Sequence, residues 1–420
     1  MIENVGFNVI FTSIPKDSVE KIFPPQIYKK IKFISTLRGY FDDSYLKYFK
    51  IKPIQEREFH IGYKGKSIEL FQGSLGYQKI SIADTSIEFC KYNKLNFHIT
   101  KSTTERIYGD KYFHFLNNSK ATLGNESGCN MLDLDGDLGS KIFQMKQNNI
   151  SEKIIMALLE RDDLTNHISP RLFESIYFRN LLILFEGNYS GILKPYKHYF
   201  PLKKDFSNLT ELKIILEDNS EIKKVTDRAF DDIIKSKRYD YKSFIKIFDN
   251  VLDENFFKEV SKNNIFEIQL ALQSTYISYF TPKIPLENFK YPSEGYAPRS
   301  LKITNQINPL SSKNSLPSTL RTVIFYDACS THVSTTKEHL ESFEKYAEGQ
   351  CFYLPSRSSF YKINDGDEEL FDLSIFDVAI VHYTVRLTVD EVLSDVFIRK
   401  LNRFKGKKLL FIQDEYEKTN

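Results

Sequence analysis

The chain has no tryptophan, four cysteines, four methionines and a net charge of only +3 across 420 residues. Each scarcity excludes something. Cys90, Cys129, Cys329 and Cys351 lie far apart and form no CxxC pair, which argues against a zinc knuckle or a thioredoxin-type site. So few cysteines in so long a chain cannot make a disulfide framework, and a reducing cytoplasm is expected. No apolar run approaches the ~20 residues that span a bilayer, so no transmembrane segment is expected. The opening MIENVGFNVIFTSIPKD has an early acidic residue and no basic stretch, unlike a signal peptide. With 58 basic against 55 acidic residues, bulk charge gives no reason to expect nucleic-acid binding.

What is present is an ordinary globular mixture, 41% hydrophobic and 27% charged. The 35 phenylalanines and 25 tyrosines accompany many Lys, Ile and Asn, a pattern of A+T-rich coding, and carry little functional meaning. The length predicts about two to three domains.

Short apolar runs bounded by turn residues read as buried strands, and periodic segments between them as helices. Strands are expected at 6–13, 32–37, 59–65, 95–100, 120–124, 181–186, 321–330, 350–355, 376–383 and 407–415. Helices are expected at 75–92, 108–120, 149–163, 169–180, 209–217, 219–236, 240–253, 334–346 and 389–404. Such alternation is the mark of α/β folds with parallel sheets flanked by helices. Residues 38–57 read as a linker. Residues 281–320, with SEGYAPRS and NPLSSKNSLPSTL, read as a longer one. The run 407–415 ends close to the C-terminus and would leave an apolar edge if nothing paired with it.

The most informative stretch is 168–208. A helix starting at Ser169, with Pro170 in its first turn, presents free N–H groups and a positive dipole end suited to phosphate. Arg171 adds a charged donor, and Glu174, three residues on, shares its side of the helix and could accept ribose hydroxyls. The loop EGNYSG, with Gly187, Ser190 and Gly191, follows a buried strand, where ligand loops of open α/β sheets sit. The plain alternative is a capped helix with a surface Arg–Glu pair. In DLDGD, Asp133, Asp135 and Asp137 alternate like an EF-hand start, but Gln144 stands where the bidentate Glu is needed, so no metal is expected.

SPRLFE, the strand after it, the EG loop and HYFPLKKDFSN together resemble the donor-binding half of CgeB-like, spore-maturation-type glycosyltransferases. The resemblance implies two Rossmann-like domains in the GT-B arrangement, no cofactor and a metal-independent reaction. It implies transfer of a sugar from a nucleotide-sugar donor to a glycan or protein acceptor. It assigns Arg171 and Glu174 to the donor. The block 106–136 would bring Gly124, Glu126, Ser127 and Gly128 to the same cleft, and HIGYKG would supply Gly62 and Gly65. Segments 323–343, 377–387 and 407–420 resemble the acceptor-side domain, whose base would come from Asp327, His332, His382, Asp414 or Glu415. His332 is preferred, with Asp327 and Asp414 next, while His382 reads as a core histidine. A non-catalytic nucleotide- or glycan-binding module, or a fragment of a tandem enzyme, is the alternative.

The resemblance also implies an unusual order. The acceptor-side domain would combine 1–57 with 321–420, around a donor domain at 58–255 and a linker at 256–320. Strand 6–13 would then lie beside 407–413, by circular permutation within one chain or by segment exchange in a homodimer.

Overall fold

The computed structural model describes residues 2–43, 46–65, 70, 73–102, 104–105, 107, 109–131, 137–161, 165–256, 320–327, 330, 333–356, 373–385, 387, 392–393 and 395–413. In chain order its strands are β1 (Val9–Thr12), β2 (Lys32–Ser35), β3 (Phe59–Lys64), β4 (Phe97–Thr100), β5 (Ser119–Gly124), β6 (Leu181–Phe185), β7 (Phe200–Leu202), β8 (Arg321–Tyr326), β9 (Gln350–Pro355), β10 (Val378–Val381) and β11 (Lys407–Ile412). They form two parallel sheets. The chain divides into two units. The first is Met1–Thr12, Phe23–Ile34 and Phe244–Gln413; the second is Ser13–Ile22, Ser35–Ser243 and Asp414–Asn420.

The first unit carries the sheet β2-β1-β11-β10-β8-β9. Its central strands are buried on both faces, which explains their continuous Val/Ile/Leu/Phe runs. β1 pairs in parallel with β11 in the register Val9↔Leu409 to Thr12↔Ile412. The apolar β11 is therefore an inner strand, and no second copy is needed to cover it. Phe11 and Phe411 stack across this seam at 4.7 Å, and Phe248 closes on Phe11 at 6.0 Å. Counted from β8 through β11 and on to β1 and β2, the order is 2-1-3-4-5-6.

The second unit carries β4-β3-β5-β6-β7, which is 2-1-3-4-5 counted from β3. The two units thus share one winding. β6 is wholly buried, with helices packed around it. Residues 38–57, expected as a linker, are instead packed into this unit. Phe41 and Leu46 join a cluster with Phe113, Phe173 and Phe178. Arg57 is buried and donates to the carbonyls of Lys52, Ser119, Phe178 and Arg179. A buried guanidinium is tolerated when its donors are satisfied, and these four carbonyls satisfy it. Desolvation, with Arg179 nearby, lowers its pKa to about 10.

Elements outside the sequence expectation include the helices Lys16–Ile22 and Leu138–Gln147 and strand β7. The stretch 257–319 lies outside the described residues. Among the described residues no helix is long and apolar enough to cross a membrane. Cys90, Cys129 and Cys351 are free thiols, and Cys329 lies outside the described residues.

Candidate functional site

In open parallel sheets, ligands settle beyond the carboxyl ends of the strands where the strand order reverses. In the second unit that point lies between β3 and β5. The helix Pro170–Tyr177 delivers its side chains here. Leu172, Phe173, Ile176 and Tyr177 bury one stripe in the core, which leaves Arg171 exposed and Glu174 half-buried. Arg171 Nη1 donates to the carbonyl of Lys64, the last residue of β3, at 3.3 Å. Its guanidinium stands 5.9 Å from the centre of the Tyr112 ring, a cation–π distance.

Burial raises the Glu174 carboxyl to about 7, against the opposing pull of Arg171. It therefore titrates near neutrality, unlike an ordinary surface carboxylate. Burial also raises Tyr63 to about 12 and pushes Tyr112 higher still, with Arg171 working against both shifts. The group is a compact set of donors and acceptors: Tyr63, Lys64, Tyr112, Arg171 and Glu174.

Ser169 occupies the cap position in extended backbone, but its hydroxyl makes no capping bond. It holds the cap position the sequence predicts, without the side-chain bond that usually accompanies it. Gly65 follows β3, and its N–H donates to the Thr100 carbonyl at 2.9 Å. Gly62 sits inside β3, not in a loop. The Phe115 ring and the Ser119 side chain fill the space where its Cβ would be. Gly124 ends β5, and a Cβ there would meet Leu184 at 2.8 Å. Both glycines answer to packing, which accounts for them without a ligand.

Glu126, Ser127, Gly187, Ser190 and Gly191 are brought together, but largely with one another and with 165–168. Glu126 Oε1 accepts the Tyr189 N–H at 2.7 Å, and Oε2 accepts from Asn166 Nδ2 at 3.1 Å. Gly187 lies so close that a Cβ would fall 2.7 Å from that carboxylate. Ser190 Oγ accepts the Ile168 N–H at 3.1 Å, with Ser190 itself at a φ of 55°. Gly191 takes a φ of 72°, which a side chain would strain. Ser127 and His167 exchange both backbone bonds. Gly128 has a φ of 125° and packs against Thr165. This mesh fixes the loops 124–128, 165–169 and 186–191 around the start of the Pro170 helix.

The first unit has its own reversal, between β8 and β10. Asp327, just beyond β8, is buried; its N–H donates to Thr384 Oγ1 at 3.0 Å, and Oδ2 accepts from Ser330 Oγ at 3.0 Å. His382 is fully buried between Thr384, with Nδ1 to Oγ1 at 3.0 Å, and His339, with Nε2 to Nδ1 at 2.9 Å. The Thr384 N–H also points at His382 Nδ1, at 3.3 Å. That atom must therefore accept, so the neutral ring carries its proton on Nε2 and donates to His339. Desolvation lowers His339 to about 3 and holds His382 well below the usual histidine value. His382 is a satisfied core histidine, as its apolar strand predicts. His332, Asp414 and Glu415 lie outside the described residues, as do Asp133 and Asp135. Asp137 is paired with Lys141.

Sequence reasoning missed Tyr63, Lys64, His98 and Tyr112. The available signal was the pair of polar residues closing the inner strand HIGYK and the aromatic residues of DKYFHF.

Comparison of the chain with models of known protein families gives no match, and a search of curated proteins gives none.

Proposed function

We propose that the chain is a glycosyltransferase that moves a sugar from a nucleotide-sugar donor to a glycan or protein acceptor. One observation carries this reading. An exposed arginine at a helix start reaches the carboxyl end of β3 at the reversal point, with a half-buried carboxyl one turn behind it. A leaving diphosphate needs fixed positive charge that is already oriented when the bond breaks. Arg171 and the N–H groups beginning the Pro170 helix supply it. Glu174 lies where it can accept ribose hydroxyls. The acceptor hydroxyl then needs a base, for which the resemblance implies His332, Asp327 or Asp414.

Calorimetry with a panel of nucleotide sugars, together with donor hydrolysis, tests the reading. At least one nucleotide sugar should bind, and Arg171→Ala should weaken it about tenfold or more. No binding across the panel, or unchanged binding in the variant, would sink it. Binding without any turnover would favour the non-catalytic module instead.

A further inference from the structure

The unassigned chemistry at the β3 end is Lys64. Its Nζ lies 2.8 Å from His98 Nε2, on the neighbouring strand β4, and 5.6 Å from the centre of the Phe115 ring. An ammonium can only donate, so His98 Nε2 accepts and the neutral ring keeps its proton on Nδ1. Burial and the Lys64 charge both lower the His98 pKa, which keeps that acceptor available. The His98 ring is itself wedged edge-on between Phe59 and Phe115, at 5.3 and 5.4 Å. Lys64 is thus steered by a neutral partner held in an aromatic slot.

Lysines of this unit differ in their partners: Lys52 and Lys120, like Lys64, meet neutral groups, at Asn118 Oδ1 and Asn219 Oδ1. Others, among them Lys91, Lys101, Lys146, Lys197, Lys223 and Lys237, pair with carboxylates. Among the described residues neither Lys64 nor Arg171 has a carboxylate within ion-pair distance. Glu105 and Glu174 act on them only at longer range. Two cations without an ion pair among the described residues, linked by the bond from Arg171 to the Lys64 carbonyl, would suit an anion with two charged groups. A single phosphate would use one of them; a diphosphate would use both.

We propose that Lys64 is a second phosphoryl-binding residue of this crevice, positioned by His98, so that Lys64 and Arg171 together hold a diphosphate group. The proposal rests on the donor-site reading of the second unit. It requires only the diphosphate, not the sugar.

The test is calorimetric titration of the full chain with inorganic pyrophosphate and with orthophosphate at low salt. Pyrophosphate should bind more tightly than orthophosphate. Lys64→Met should weaken pyrophosphate about tenfold, whereas Lys64→Arg should stay within about threefold of wild type. His98→Gln, which keeps an acceptor, should retain affinity that His98→Leu loses. Lys64 is half-buried at the end of its strand, so thermal melts of its variants should stay close to wild type; Lys64→Gln serves as a second neutral variant. Pyrophosphate affinity unchanged in both neutral variants, or no pyrophosphate binding to the folded wild type, overturns the proposal. Lys64-dependent pyrophosphate binding with no nucleotide sugar bound leaves it standing and removes the donor reading.

Discussion

The inner strand pairs β3/β5 and β8/β10 hold equivalent places in one shared winding, yet they end in opposite chemistry. At their amino ends the two are alike. Arg57 is buried against four carbonyls in the second unit, and Arg321 is buried against Asp377 in the first, with N–O distances of 2.8 and 2.9 Å. At their carboxyl ends they diverge. β3 finishes in Lys64, whose carbonyl accepts from Arg171 and whose ammonium meets the neutral His98. β8 and β10 finish in Asp327, Thr384 and His382, which are satisfied by one another and by His339. Winding fixes where a ligand could sit; the last strand residue and the loop after it decide what sits there.

The largest expected effect breaks one side of this comparison. Removing residues 1–12 deletes β1 and uncovers the apolar edge of β11, to which β10 is joined. An exposed apolar strand edge invites intermolecular pairing. The truncated chain is expected to elute as larger species than the full chain in size-exclusion chromatography, while the second unit's Lys64 and Arg171 are untouched. A truncation that elutes and melts like the full chain would refute the role given to the β1–β11 seam.

Next in size is a difference in sign with pH. His339 stays neutral in the folded first unit down to about 3, whereas an unfolded histidine titrates near 6.5. Between those values the unfolded chain binds the extra proton, so stability falls as the pH falls, by up to ~1.4 kcal/mol per pH unit. Glu174 does the reverse. Its folded pKa is raised to about 7 from 4.5, so in that interval the folded chain binds the extra proton. Its contribution is complete below the unfolded value and is lost as the pH rises through 7. Melts between about pH 4.5 and 7.5 should therefore show His339→Phe less acid-sensitive than wild type and Glu174→Gln more so. The phenylalanine has suitable neighbours in Phe244, Phe343 and Phe411. Equal slopes in wild type and both variants would remove the contrast.

How much of this was legible depended on whether a feature was local. Continuous apolar runs gave β8, β9, β10 and β11, and the helix Ser334–Tyr346 follows its expected span residue for residue. β7 escaped because it is three residues long with Pro201 at its centre, which only an edge strand tolerates. Residues 38–57 read as a linker because Arg57 finds its carbonyls at Ser119, Phe178 and Arg179, far along the chain. The site followed the same rule. Arg171 and Glu174 lie one helical turn apart and could be read together. Lys64 and His98 meet only because β3 pairs with β4. Gly62 falls inside the expected strand 59–65, and its pairing with His98 and Thr122 places it in the middle of the sheet, away from any ligand loop.

The smallest effect sharpens the comparison at a single hydroxyl. Ser169 and Asp218 both precede helices of the second unit, but only Asp218 caps, accepting from Ser220 N and Glu221 N at 2.9 and 3.1 Å. Asp218→Ala should cost about 1 kcal/mol, the usual loss for a removed cap. Ser169→Ala should change stability by no more than about 0.5 kcal/mol, because its hydroxyl caps nothing. Urea denaturation of the two variants decides the matter. If Ser169→Ala falls as far as Asp218→Ala, its hydroxyl is engaged with the helix N–H groups in solution. Those N–H groups would then be closed to a phosphate, and the burden of anion binding would shift onto Lys64 and Arg171 alone.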